Sequence, residues 1–107
     1  MPKVKNKAYM KLNRFYIHYD RNGGHPSLIY GRDAVNDKYK AVCFTSKPGK
    51  GRTKLKYSIN PRTSSVSYVH NNPIEKGHKE FNWRKELTNN RVRKADMPLI
   101  ESIKKKK

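Results

Sequence analysis

The sequence has little of several residue types and patterns, and each shortage excludes a class of protein. Cys43 is the single cysteine, so no intramolecular disulfide can form and a multi-cysteine zinc site is excluded. No apolar run is longer than four residues, which is far too short for a membrane span. The basic start of the chain leads into no apolar run, so it lacks the pattern of a secretory signal. We therefore expect a cytoplasmic protein that makes no membrane contact.

Clustered metal ligands are also missing from the sequence. The 8 acidic residues are dispersed along the chain, unlike the grouped carboxylates of a two-metal nuclease. The four histidines form no closely spaced pair, and the lone cysteine lies among apolar neighbours, which favours packing over nucleophilic chemistry. The pattern predicts no metal and no cofactor.

What the chain has in excess is positive charge. It carries 26 Lys and Arg in 107 residues, and its formal net charge is +18. That charge is far more than solubility requires, and its self-repulsion is best tolerated when a polyanion screens it. Each cation that neutralises a phosphate releases counterions and gains affinity, so the surplus predicts an RNA or DNA partner. The alternative is a generally basic surface with no dedicated partner.

The apolar pattern predicts a mainly β domain, because the long Leu- and Ala-rich amphipathic runs of a helix bundle are missing. Short strands are predicted with tight turns between them, and Asp96 is expected to cap a short terminal helix. We expect a small SH3-like antiparallel barrel of five to six short strands with a short C-terminal helix. The predicted strands are 14–19, 27–30, 39–45, 53–59 and 65–70, with a sixth near 81–83, and the helix is 97–103.

The residue patterns of two predicted strands allow more specific predictions. The strand over 39–45 is the most apolar and is expected to be central. The strand over 53–59 alternates, with Leu55, Tyr57 and Ile59 on a buried face and two lysines on a basic, wet face. The predicted organisation is a basic N-terminal arm over 1–13, a single β-barrel domain over 14–103 and a lysine tail over 104–107.

Three segments offer groups that metal-independent RNA cleavage requires. In that reaction a base takes the proton of the ribose 2′-OH, an acid protonates the leaving 5′-oxygen, and cations stabilise the phosphorane. His25, on a predicted loop over 23–26, is the candidate base or acid. Thr45 and Ser46 are candidate hydrogen-bond donors to the phosphate. Taken singly, each segment is also typical of a turn or a solvated loop. The predicted nucleic-acid-binding cations are Lys47, Lys50, Arg52, Lys54 and Lys56.

The order of these segments resembles the MazF/PemK/Kid superfamily of toxin ribonucleases. The resemblance rests on Gly-His-Pro-Ser-Leu-Ile over 24–29, on Ala-Val-Cys-Phe-Thr-Ser over 41–46, and on the closing 91–100 segment, which is similar to that superfamily's last strand and terminal helix. The Thr-Ser-Lys sequence over 45–47 is also similar to the RNA-inhibited toxins of type III toxin–antitoxin systems. His25 stands where these toxins usually have an arginine before proline.

The resemblance implies an SH3-like barrel, often a homodimer, that binds single-stranded RNA in a basic groove and cleaves it without metal. It also implies an antitoxin partner, either an acidic protein or an RNA, and it places Thr45 on the family's active-site Thr or Ser. Ser46 and Lys47 match the type III variant. The residues themselves leave two alternatives open. One is a non-catalytic basic barrel that binds RNA or DNA on a mobile element or in a ribonucleoprotein, and the other is a protein that binds an acidic protein partner.

Overall fold

The fold, seen in a computed structural model, is described for residues 11–21, 23–60 and 66–106. In this part of the chain seven strands precede one α-helix, and two short 3₁₀ turns, His78–Glu80 and Lys94–Asp96, lie between them. The strands are β1 (Arg14–Asp20), β2 (Gly23–Asp33), β3 (Lys38–Thr45), β4 (Arg52–Lys54), β5 (Tyr68–His70), β6 (Ile74–Gly77) and β7 (Phe81–Asn82), and the helix is α1 (Met97–Lys104).

All strand pairs are antiparallel, and the strand order is β4-β5-β3-β2-β1-β7, with β6 also paired to β3. β3 pairs with three other strands, which confirms the predicted central position of the most apolar strand. The predicted mainly β fold with a C-terminal helix is confirmed. The described strands form an open sheet rather than the closed barrel that we expected, because no ladder joins β4 to β7 among them.

The sheet buries side chains on both faces because successive residues of a strand point to opposite sides. On β3, Val42 and Phe44 enter a first core with helix residues Ile100 and Ile103. Ala41 and Tyr39 enter a second core with Phe81, on the other face. The central strand β3 therefore contributes side chains to both cores, one on each face of the sheet.

The strand β2 starts earlier than the sequence pattern predicts. Asp20 pairs with Gly23, so His25 and Pro26 lie inside a strand and not on the predicted loop. Gly23 has a φ of 118°, a conformation that glycine adopts without strain, and it allows β2 to begin at once after the turn. The polar strand β6 was not predicted at all, because its side chains are only partly buried and it lacks an apolar signal.

The alternating segment over 53–59 is not a continuous strand. β4 ends at Lys54, and Tyr57 is exposed although Leu55 and Ile59 are buried. The strand does not continue because the backbone N–H groups of residues 56 and 57 bind a side chain and not a neighbouring strand. The Asp96 carboxylate accepts hydrogen bonds from the N–H of Lys56 at 2.9 Å and from the N–H of Tyr57 at 3.2 Å. The backbone therefore turns outward at 56–57, and the prediction of one buried face is wrong.

The C-terminal helix is confirmed, with Pro98 in its first turn, where a missing N–H leaves nothing unpaired. Asp96 holds the N-cap position, but its side chain makes no capping hydrogen bond. Residues 91–93, expected as a last strand, are irregular. The predicted N-terminal arm lies outside the described residues up to residue 10. Within the described ranges, no helix has the length and apolar character needed to span a membrane.

Candidate active site

The predicted catalytic residues come together at one end of the sheet. Ser27 of β2 pairs with Cys43 of β3, and this antiparallel register puts His25 and Thr45 at the same end of neighbouring strands. His25, Thr45 and Ser46 line one cavity of about 260 Å³. Its other walls come from the turn after β4, the approach to β5 and a loop before α1: Gly24, Pro26, Phe44, Ser58, Ile59, Asn60, Val66, Ser67 and Asn90.

Gly24 fixes how closely the histidine strand approaches β1. A Cβ atom at this position would lie 2.7 Å from Cγ2 of Ile17, closer than real Cβ contacts occur. Ile17 itself pairs with Pro26, so the small residue and the proline together hold the backbone on either side of His25. A glycine immediately before His25 is thus a steric requirement of this strand pair.

His25 is partly accessible and faces a carboxylate. Its side chain is 28% exposed, and its Nε2 lies 3.6 Å from Oδ1 of Asp20. The two residues are close because the β1–β2 turn places Asp20 opposite Gly23. Asp20 can therefore stabilise and orient a charged imidazole. Asp20 was not among the predicted site residues, and its only signal in the sequence is its position at the turn before Gly-Gly-His.

Thr45 and Ser46 differ in their accessibility. Thr45 is 8% exposed, and its Oγ1 accepts a hydrogen bond from the backbone N–H of Lys47 at 3.3 Å. A hydroxyl that accepts in this way can still donate its own proton. Ser46 is exposed at the mouth of the cavity. The pair can thus offer two hydroxyl donors to an anion in the cavity.

None of the five predicted cations lines the cavity. Lys47, Lys50, Lys54 and Lys56 are exposed. Arg52 folds back on its own loop, where its Nη1 donates to the carbonyl oxygens of Lys47 at 3.1 Å and Pro48 at 3.3 Å. This arginine stabilises the 47–52 loop. The five predicted cations are therefore not part of the cavity wall.

A second, smaller cavity of about 120 Å³ adjoins the first through His25. It brings together histidines that lie far apart in the sequence, because His18 pairs with His25 across β1 and β2, and His70 stands at the near end of β5. These histidines form no closely spaced pair in the sequence, and the strand register brings them together. The lining residues are His18, Asp20, His25, Cys43, His70, Asn72 and Ile74.

Burial is the main cause of the pKa shifts of the titratable side chains that line this cavity. It lowers the pKa of His18 below 6.5, although the carboxylates of Glu80 and Asp20 oppose the shift. Burial also lowers the pKa of His70, and the positive charge of Arg52 adds to that effect. Cys43 is buried, as predicted, and burial raises the pKa of its thiol to about 12. In the described part of the chain no group of three or more His, Cys, Asp or Glu is arranged to hold a metal.

Comparison with known proteins gives one informative likeness. No protein-family model and no curated protein sequence matches the chain. Among solved structures, the chain is similar to one described as an endoribonuclease in complex with its cognate antitoxin from mycobacterial species. The TM-score is 0.55 at 22% sequence identity, and the alignment covers 90% of each chain. At this identity the likeness establishes the fold, and for the fold it confirms the resemblance to toxin ribonucleases drawn from the sequence.

Proposed function

We propose that the protein is a metal-independent endoribonuclease of the toxin type that cleaves single-stranded RNA. The observation that carries the proposal is the convergence of His25, Thr45 and Ser46 on one cavity where β2 and β3 meet. One cleft thus offers a proton-transfer group and two hydroxyl donors, which are part of the set of groups that phosphodiester cleavage by an internal nucleophile requires. The fold shared with a solved endoribonuclease supports the same proposal.

In the proposed reaction the 2′-oxygen bonds to phosphorus while the bond to the 5′-oxygen breaks. The products are a 2′,3′-cyclic phosphate and a 5′-hydroxyl, so one proton leaves the 2′-OH and one reaches the 5′-oxygen. We assign proton removal to His70, which lines the smaller cavity together with His25 and whose pKa is lowered by burial and by the charge of Arg52. His25, beside the Asp20 carboxylate, supplies the second proton. Thr45 and Ser46 donate hydrogen bonds to the phosphate oxygens.

The direct test is incubation of the purified protein with a mixed RNA in EDTA. We expect discrete fragments that end in 2′,3′-cyclic phosphate, and their loss in His25→Ala and Thr45→Ala. Val35→Ala is the matched control, since this side chain is 92% exposed and lies between β2 and β3 at the far end of the hairpin. Absence of cleavage by the wild-type protein at every ionic strength would overturn the proposal.

The solved endoribonuclease is bound to its antitoxin, and by analogy we propose an antitoxin, an acidic protein or an RNA, as a partner of this chain. The charge of +18 suits either kind. A homodimer belongs to the same proposal, and sedimentation of the purified protein tests it.

A second candidate function is a non-catalytic protein that binds RNA or DNA. The observation in its favour is that the exposed cations lie outside the cavity, so binding by charge does not need the catalytic groups. Under that function His25→Ala leaves nucleic-acid binding unchanged and no RNA is cleaved in any condition. Cleavage in EDTA that depends on His25 excludes it.

A further inference from the structure

One large aromatic side chain lies on the surface beside the active-site cavity. Tyr57 is 57% exposed, whereas Leu55 and Ile59, two residues away on either side, are buried in the first core. A single exposed apolar residue is common on protein surfaces and by itself indicates nothing. Two features of its surroundings distinguish Tyr57: its backbone is held by Asp96, and cationic side chains line the same depression.

The backbone beneath Tyr57 is held from inside the protein. Asp96 is 5% exposed, and its two carboxylate oxygens accept hydrogen bonds from the N–H groups of Lys56 and Tyr57 at 2.9 and 3.2 Å. Leu55 anchors the same segment in the core. The ring is therefore presented on a fixed backbone, and less entropy is lost when a ligand packs against it.

Positive charge surrounds the ring. Tyr57 lines an open depression of about 550 Å³ together with Arg93, Lys94 and Ala95. Arg93 and Lys94 are exposed, and so is Lys56, the neighbour of Tyr57 in the chain. We call Tyr57, Arg93 and Lys94, which line this depression together, the Tyr57 platform. An aromatic face with cations beside it can stack on a base while the cations neutralise the adjoining phosphates.

The Tyr57 platform continues directly into the candidate active site. Ser58, Ile59 and Asn60, the three residues after Tyr57, form part of the wall of the cavity that holds His25 and Thr45. Asn90 lines that cavity as well, three residues before Arg93. Both chain segments of the platform therefore pass from the depression to the cavity.

We propose that the Tyr57 platform is a binding subsite for a nucleotide of single-stranded RNA that flanks the scissile phosphate. The base stacks on the Tyr57 ring, and Arg93 and Lys94 contact the phosphates on either side of it. The choice of RNA as ligand rests on the proposed function, since the platform borders the proposed cleavage cavity. Only an unpaired base offers a free face for stacking, which is why the ligand is a single strand and not a duplex.

The experiment measures binding of a short RNA whose 2′-hydroxyls are methylated, so that it cannot be cleaved. Tyr57→Ala should weaken binding of the single strand by about 5- to 150-fold, the range expected for the loss of one stacked base. Tyr57→Phe keeps the ring and should bind as the wild type does. Binding of a blunt duplex of the same length should change little in Tyr57→Ala, because its bases are already stacked.

The cations of the platform are tested by their salt dependence. Arg93→Ala with Lys94→Ala should reduce the slope of log K against log salt by about 1.4, for two phosphates on a single strand. Lys38→Ala with Lys79→Ala is the matched control, because both lysines are exposed and neither lines the platform or the cavity. An equal reduction in the control pair would show that the platform has no special part in binding.

The two proposals fail separately. Cleavage by the wild type together with unchanged single-strand affinity in Tyr57→Ala overturns the subsite and leaves the ribonuclease in place; a protein partner then becomes the occupant to consider. Absence of cleavage together with binding that depends on the Tyr57 ring overturns the ribonuclease and leaves the subsite.

Discussion

The two histidines that we assign to proton transfer have different surroundings, and the difference comes from the strands that carry them. His70 is on β5 opposite Arg52, so burial and a neighbouring cation both disfavour its charged form. His25 is on β2, where its Nε2 lies 3.6 Å from Oδ1 of Asp20. Two imidazoles in unlike environments can divide the roles of base and acid.

This division predicts a selective chemical rescue. A substrate whose bridging 5′-oxygen is replaced by sulfur has a leaving group that needs no proton, so it removes the need for a general acid. We expect His25→Ala to recover most of the wild-type cleavage rate on this substrate, whereas His70→Ala stays slow by about 100-fold or more. The measurement is single-turnover cleavage of matched oxygen and sulfur substrates. Rescue of His70→Ala instead would exchange the two roles.

Between elements, the most informative contact is the one from the turn before α1 to the segment after β4. The Asp96 carboxylate replaces the strand partner that Lys56 and Tyr57 would otherwise need. Ser67 does the same for the next turn, since its Oγ accepts from the N–H of Ile59 at 3.1 Å. Side chains thus satisfy the backbone where the β ladder stops, as buried polar groups require.

Substitution of Asp96 should therefore destabilise the fold and release the Tyr57 segment together. Asp96→Ala leaves two backbone N–H groups without their partner, and we expect a loss of about 1–3 kcal/mol in the free energy of unfolding. Asp96→Asn keeps one acceptor oxygen and should lose less. Urea unfolding measures both, with Glu101→Ala on the exposed side of α1 as the control. Equal stability of Asp96→Ala and the wild type would contradict this account.

The strands and the helix also show which features a local sequence pattern can predict and which it cannot. The apolar patterns of β1 and β3 and the proline start of α1 are local signals, and those elements are where they were predicted. The segment over 53–59 also alternates, but Asp96, distant in sequence, redirects its backbone. His25 and Thr45 were identified from local motifs, whereas the link to His18 and His70 depends on strand register, which no local pattern contains.

For the whole molecule, the charge of +18 is not concentrated in the proposed cleavage cavity. Described cations border several other depressions, such as Lys40, Lys104 and Lys106 around Tyr30. A polyanion can therefore contact the protein over a wide surface, whereas His25, Thr45 and Ser46 are confined to one cavity. In the proposed ribonuclease, charge supplies sequence-independent binding and the residues around His25 supply the chemistry, so affinity and reaction depend on different parts of the surface.

The same molecule should lose stability in mild acid. In the folded state burial lowers the pKa of His18 and of His70 below 6.5. Above pH 6.5 both histidines are mostly neutral in the folded and in the unfolded state. As the pH falls below 6.5, the unfolded state binds protons before the folded state does, and the free energy of unfolding decreases. This loss is complete once the pH has fallen through the pKa values of the folded state. Around His18, Lys76 and His25 act with burial, and Glu80 and Asp20 act against it.

We expect the urea midpoint to be lower at pH 5.5 than at pH 7.5 when ionic strength is held constant. His18→Phe removes one of the two titrating groups and preserves a ring beside Phe81, whose centroid lies 5.2 Å from that of His18. Its midpoint should therefore change less between the two pH values. His78→Phe is the matched control, since this histidine is only partly buried and does not line the cavity that holds His18 and His70. A pH effect of the same size in His18→Phe and in the wild type would show that burial of His18 does not cause it.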